Sequence, residues 1–229
     1  MVVDNILNVV FPRFCLGCGY IGSYICPACE KKLKHRKDQE RCFYCKKKSY
    51  LGLTHPKCKR RRGVDGYVFL YLYTGLFKKI IHSVKYGGAY KILNEMSLFE
   101  TESPLRTLLK WNSLLRLRCQ AVPLHIEKQK ERGFNQVEHI LRPISLLLNA
   151  ETLNILTKIK KTKSQASLQT RGARQKNIKG SFALTASHVP ENILLVDDVV
   201  TTGFTAKECV RVLRKGGAKN VFVFSLARG

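Results

Sequence analysis

The sequence predicts an α/β protein in which a small N-terminal zinc-ribbon module precedes a domain with a mostly parallel sheet flanked by helices. Three observations lead there. Seven of the nine cysteines lie between positions 15 and 58, and six of those seven form C-x-x-C pairs. From Val64 onward, apolar runs alternate with amphipathic stretches, the pattern of strands covered by helices on both faces. The run Ile193-Leu194-Leu195-Val196-Asp197-Asp198 carries four apolar residues directly into two acids, as expected of a buried strand that opens at its carboxyl end.

Composition narrows the function classes. The 229 residues hold 41 Lys+Arg against 16 Asp+Glu, a net charge of +25, with 45% apolar residues. That apolar content builds a core and excludes a disordered polycation. So positive a field favours a polyanion, whether nucleic acid, a phosphorylated metabolite or an anionic membrane surface. The longest apolar stretches, Tyr67 to Tyr73 and Val221 to Ala227, fall well short of the roughly 20 residues of a membrane helix. Asp4 and Asn5 stand where a signal peptide needs positive charge, and Asn8 and Pro12 break the first apolar run. A cytoplasmic chain is expected, with any membrane association peripheral and through partners.

Residues 1–62 form the cysteine-rich module. Cys15 with Cys18, Cys26 with Cys29, Cys42 with Cys45, and His55 with Cys58 are each separated by two residues. That spacing lets a tight turn aim two ligands at one cation, and four such ligands suit tetrahedral Zn²⁺. Gly17 and Gly19 fit the turn. Sequential and cross-braced pairings use the same residues, and one zinc remains an alternative to two. The metal is expected to be structural, because so short a module buries little apolar surface. No thioredoxin-like βαβ unit surrounds these thiols, which argues against a redox role. The module is also basic, through Lys46, Lys47, Lys48 and the run Lys59, Arg60, Arg61 and Arg62. Tyr24, Phe43, Tyr44 and Tyr50 lie among these cations, either as a small core or as a stacking platform for single-stranded nucleic acid.

In residues 63–229, Val64–Tyr73, Cys119–Pro123, Asn192–Val196 and Val221–Ala227 read as strands. Leu76–Lys85, Ile92–Glu100, Gln136–Leu148 and Ala206–Lys215 read as helices. After Asp197 and Asp198, which are expected to emerge at the strand's end, come Val199, Val200, Thr201, Thr202, Gly203, Phe204 and Thr205. Hydroxyls and close-approaching backbone N–H groups then introduce a helix whose N-terminus suits a phosphate. Simple helix capping by threonine would leave the second carboxylate and the Thr-Thr-Gly unexplained. Between Lys158 and Lys179 lie eight cations, Lys160, Lys161, Lys163, Arg171 and Arg174 among them, and no acid. A mobile basic loop is expected, either a lid over the phosphate site or a nucleic-acid surface. Cys119 and Cys209 are expected to pack in the core.

Four apolar residues, two acids, two apolar residues and Thr-Thr-Gly resemble the signature of type I phosphoribosyltransferases for 5-phosphoribosyl-1-pyrophosphate (PRPP). The resemblance implies that Asp197 and Asp198 hold ribose hydroxyls, that Thr201, Thr202, Gly203 and Thr205 hold the 5′-phosphate, and that Mg²⁺ accompanies PRPP. Nearly the whole chain further resembles the ComF family of competence proteins. The residues carrying that likeness are Phe11-Pro12 with Cys15-x-x-Cys18, Val84-Lys85-Tyr86-Gly87-Gly88, Arg132-Gly133-Phe134-Asn135-Gln136, the stretch from Lys163 to Phe182, and the PRPP loop. His55 stands where that family often has cysteine. The family implies handling of single-stranded DNA during natural transformation, on the cytoplasmic side of the uptake machinery. A further reading takes the ribbon as a protein-docking module that recruits a helicase or another uptake protein. Lys85, Arg132, Lys163, Arg171 and Arg174 are candidates for the pyrophosphate or the lid. Lys46, Lys47, Lys48, Lys59, Arg60, Arg61, Arg62, Lys160 and Lys161 are candidates for DNA. The alternative is an active phosphoribosyltransferase that transfers ribose 5-phosphate to a nitrogenous acceptor.

Overall fold

The computed structural model describes residues 12–33, 40–86, 92–93, 102–162 and 170–229. After a four-residue helix, α1 (Pro27–Glu30), come β1 (Gly66–Leu72), α2 (Gly75–Tyr86), α3 (Glu102–Leu115), β2 (Arg118–Ala121), α4 (Ile126–Arg132) and α5 (Gln136–Leu148). There follow β3 (Thr152–Leu153), β4 (Leu156–Lys158), α6 (Arg171–Ile178), β5 (Phe182–Leu184), β6 (Asn192–Val200), α7 (Phe204–Lys215) and β7 (Asn220–Arg228). Five strands form one all-parallel sheet in the order β1-β7-β6-β2-β3, while β4 and β5 pair antiparallel beside it.

Strand alternation divides the core in two. Val68, Leu70, Leu194, Val196, Phe222 and Phe224 point to one face, where α2, α3 and α5 bring Ile80, Leu108, Trp111 and Ile140. Tyr67, Phe69, Ile193, Leu195, Val221 and Val223 point to the other, where α7 brings Cys209, Val210 and Leu213. Central strands buried on both faces need unbroken apolar runs, which is why these read so clearly in the sequence. The N-terminal module packs on both faces. Ile25, Cys26 and Leu33 join the first core, and Phe43 joins the second.

The structure departs from the sequence reading in three places. First, β6 continues to Val200, so Asp197 and Asp198 lie inside the strand, 7% and 5% exposed, rather than beyond its end. The burial is tolerated because Asp198 has partners. Second, residues 171–178 are helical rather than part of a loop. The Thr170 hydroxyl accepts the Ala173 N–H at 3.1 Å as N-cap, and Ile178 is buried. Lys163 lies outside the described residues. Third, α3, α4 and the short strands β3, β4 and β5 were not expected. Of the expected helix Ile92–Glu100 only 92–93 lie among the described residues, and both are helical. Cys119 and Cys209 are fully buried.

Candidate functional site

The carboxyl ends of β2 and β6, the start of α7 and the ends of α2 and α4 enclose a cavity of about 630 Å³. Asp197, Asp198, Val199, Val200, Thr201, Gly203, Phe204 and Thr205 line one side. Gly203 is the N-cap of α7 at φ 72°, and a Cβ there would lie 2.7 Å from the Phe43 ring, so both backbone and packing require glycine. The first turn of α7 borders the cavity, and the positive end of a helix suits an anion there.

Cations line the opposite walls, namely Lys78, Lys85, Lys128, Arg132, Lys158 and Arg174. Lys85 reaches from the last turn of α2 to within 2.6 Å of Asp198 Oδ2, and the Gln136 amide donates to the same oxygen at 2.9 Å. Arg132 in turn donates to Gln136 Oε1 at 3.0 Å. The local sequence builds this relay. The chain turns at Gly133, and the Asn135 side chain accepts the Val137 N–H at 3.1 Å as N-cap, so Gln136 enters α5 facing the acids. Burial works against the Asp198 carboxylate, but Lys85, Gln136 and the Val199 N–H hold it below the usual range. Burial and the neighbouring Asp198 charge push Asp197 up to about 8. The dyad therefore offers one ionised and one protonated carboxyl near neutral pH. On the far wall, burial and then Lys128 bring Lys158 down to about 8. A second cavity of about 910 Å³ adjoins the first, sharing Pro123, Leu124 and Lys158, and is lined by Gln120, Gln129, Asn154 and Thr157.

The ligand pairs fall into two groups in sequential order: Cys15, Cys18, Cys26 and Cys29, then Cys42, Cys45, His55 and Cys58. Within each group the donor atoms lie within 4.8 Å of one another. A tetrahedral Zn²⁺ with bonds of about 2.3 Å sets sulfurs roughly 3.8 Å apart, and Cys18 and Cys26 Sγ are 3.6 Å apart. Both groups fit zinc. In the first, backbone N–H groups outweigh burial to bring Cys15 down to about 6, while burial and the neighbouring thiols push Cys29 up to about 12. Thiols so crowded cannot all ionise without a cation among them. In the second, His55 Nδ1 lies 3.2 Å from Cys45 Sγ and its Nε2 is 3.0 Å from the Lys48 carbonyl, so the outer nitrogen has the partner that orients a ligating imidazole.

No protein-family model matches the chain. Among curated proteins, it is 39% identical over 111 residues to Competence protein F of Haemophilus influenzae, covering 47% of this chain and 48% of that one. It is 31% identical over 150 residues to DNA utilization protein YhgH of Escherichia coli K12, covering 65% and 66%. Over 208 residues it is 27% identical to Competence protein ComFC of Streptococcus pneumoniae, covering 91% of this chain and 82% of the relative. The chain belongs to the ComF family. Matched stretches span about half the length of the first of these relatives and about two thirds of the second.

In this ComF-family chain the cavity gathers Lys85, Arg132 and Arg174 with the 197–205 segment, while Arg171 stands just outside, its guanidinium 5.9 Å from the centre of the Phe204 ring. The sequence reading did not single out Lys78, His82 or Lys128 for this site. Helical spacing was the only signal for the first two, since Lys78, His82 and Lys85 share one face of α2. Of the nine DNA candidates, Lys46, Lys47, Lys48, Lys59, Arg60, Arg61, Arg62 and Lys160 are exposed, and Lys161 pairs with Glu127. The four aromatics of the module divide. Phe43 is core, Tyr44 is half-buried and accepts the Val64 N–H at 3.0 Å, Tyr24 lies under Arg13, and Tyr50 is 76% exposed. Among the described residues, no helix is long and apolar enough to cross a membrane.

Proposed function

We propose that this chain handles single-stranded DNA in the cytoplasm during natural transformation, that its α/β part binds the 5-phosphoribosyl group of PRPP, and that zinc holds its N-terminal module. The observation that carries the reading is the cavity itself, where two buried acids and the N-terminus of α7 face six cations. Such an arrangement suits a sugar phosphate. Carboxyls take hydroxyls, a helix start takes the phosphate, and lysines and arginines take further phosphoryl oxygens. Mg²⁺ would enter with PRPP and offset the charge of its pyrophosphate. The names of the relatives, Competence protein F and DNA utilization protein, support the DNA part, as do the exposed cations of the module. Calorimetric titration with PRPP and Mg²⁺ tests the site. Binding is expected, weakened about tenfold by Thr201→Val, as for the loss of one hydrogen bond to a charged group. Absence of binding to the intact, zinc-loaded protein would reject it.

A second reading, phosphoribosyl transfer to a nitrogenous acceptor, draws on the adjoining cavity. Its amide and hydroxyl lining gives room for a planar, hydrogen-bonding acceptor beside the sugar. Pyrophosphate release from PRPP in the presence of a panel of bases separates transfer from binding alone.

A further inference from the structure

Four cations form a continuous seam from the second cysteine group to the phosphate-loop cavity. The Lys207 ammonium lies 5.7 Å from the Phe43 ring centre and 5.4 Å from both Tyr44 and Phe204. Arg60 shares the Tyr44 ring at 5.2 Å, and Arg171 shares the Phe204 ring at 5.9 Å. Lys46 completes the group. Burial foremost, then Arg171, Arg60 and Lys46, lowers the proton affinity of Lys207. None of the four is ion-paired to a carboxylate among the described residues. Intervening aromatic faces offset part of the mutual repulsion; a chain of phosphates would remove the rest.

The seam meets the cavity at Phe204, which opens α7 and lines the cavity wall. Inside, chemical order is fixed. The helix start adjoins the seam through Phe204, and the buried acids Asp197 and Asp198 precede it along β6. Phosphate belongs at the helix start and a hydroxyl at the acids, where a phosphodiester would be repelled. Among nucleotides in a strand, only the 3′-terminal one satisfies both conditions. It carries a 5′-phosphate on the side where the chain continues and a free 3′-hydroxyl on the other.

We propose that the cavity binds the 3′-hydroxyl end of a single strand, with the terminal 3′-OH at Asp197 and Asp198, its 5′-phosphate at Thr201–Thr205, and the preceding phosphates along Arg171, Lys207, Arg60 and Lys46. This rests on the phosphate-loop and single-strand reading above. No bond is made or broken, so the claim concerns binding alone.

The test is anisotropy with a labelled oligonucleotide of about 20 residues on the zinc-loaded full chain, competed by unlabelled strands and by PRPP. A linear strand with a 3′-hydroxyl is expected to compete about tenfold better than the same strand 3′-phosphorylated or circularised, the worth of one hydrogen bond to a charged group. A 5′-phosphate should change nothing, and PRPP should displace the linear strand. Arg60→Gln with Lys207→Gln should lower strand affinity and reduce the log-log salt slope by about 1–2, with PRPP affinity unchanged. Equal competition by linear, 3′-phosphorylated and circular strands would overturn the inference while leaving strand binding intact. Failure of every strand to bind would overturn the inference and the single-strand reading together, with the PRPP titration still standing alone.

Discussion

The two cysteine groups use nearly the same ligands, yet they pack on opposite faces of one sheet. In the first, Cys15, Cys26 and Cys29 are buried, and Ile25 and Leu33 join the core formed by α2, α3 and α5. Its turn is pressed so close that a Cβ on Gly17 would lie 2.6 Å from Cys29 Sγ and 3.3 Å from Leu76. The second group is more open, with Cys45 exposed and His55 and Cys58 partly so. Beside the buried Cys42 it contributes Phe43, whose ring lies against Gly203 at the start of α7. Similar ligand sets thus support different things: the first group secures the module to the sheet, and the second backs the loop that faces the cavity.

The largest effect follows from breaking that division at the metals. Cys26→Ser removes a buried ligand of the first group and should lower Tm by about 10 °C or more, at roughly 2–4 °C per kcal/mol for a chain of this size, with loss of one equivalent of zinc. Cys45→Ser should lose one equivalent too, that of the second group, with a smaller fall in Tm and a larger loss of PRPP affinity. Metal analysis, thermal unfolding and calorimetry on both variants decide it. Equal falls in Tm and equal affinities would erase the distinction.

A finer comparison removes packing and leaves every ligand in place. Phe43→Ala and Ile25→Ala each truncate a side chain 7% exposed, in the second and first groups respectively. Core truncations of this kind cost about 2–5 kcal/mol, so both variants should unfold earlier. Only Phe43→Ala should weaken PRPP, by about tenfold, because only that ring meets Gly203. If Ile25→Ala weakens PRPP as much, the loop depends on general stability and not on its neighbour.

Much of this was legible because its constraints are local. Two-residue spacing fixes which thiols share a turn, and unbroken apolar runs mark β1, β6 and β7. What stayed hidden depends on distant partners. Asp197 and Asp198 were expected to leave the strand because a buried acid pair needs compensation, and the compensation comes from Lys85 and Gln136, 113 and 62 positions away in the chain. Lys207 lies in the expected helix Ala206–Lys215 with nothing local to mark it; its meaning comes from Phe43 and Tyr44, brought to it by the fold. Eight cations without an acid between Lys158 and Lys179 suggested a loop, but a threonine N-cap and one buried isoleucine suffice for α6. The sequential pairing of the cysteine groups is likewise a matter of tertiary geometry, which spacing alone leaves open.

The smallest effect comes from the dyad itself and has the opposite sign. Asp197 is held at about 8 in the fold, against an ordinary value of 3.8, by burial and the Asp198 charge. Between those two values the folded chain keeps a proton that the unfolded chain releases, so the contribution of Asp197 is fully present below pH 3.8 and is lost as pH rises toward 8. Asp198 runs the other way, because its depressed value gives stability that is lost only on acidification below the ordinary carboxylate range. From pH 5 to 8, then, the slope from this dyad belongs to Asp197. Asp197→Asn should remove that slope and leave the ligand-free protein more stable at pH 8 by about 1.4 kcal/mol or more, one pKa unit's worth, while binding PRPP less well. Urea unfolding at pH 5 and pH 8 measures both limbs. An asparagine variant less stable at pH 8 would mean that Asp197 is ionised in the fold and that Lys85 serves two carboxylates rather than one.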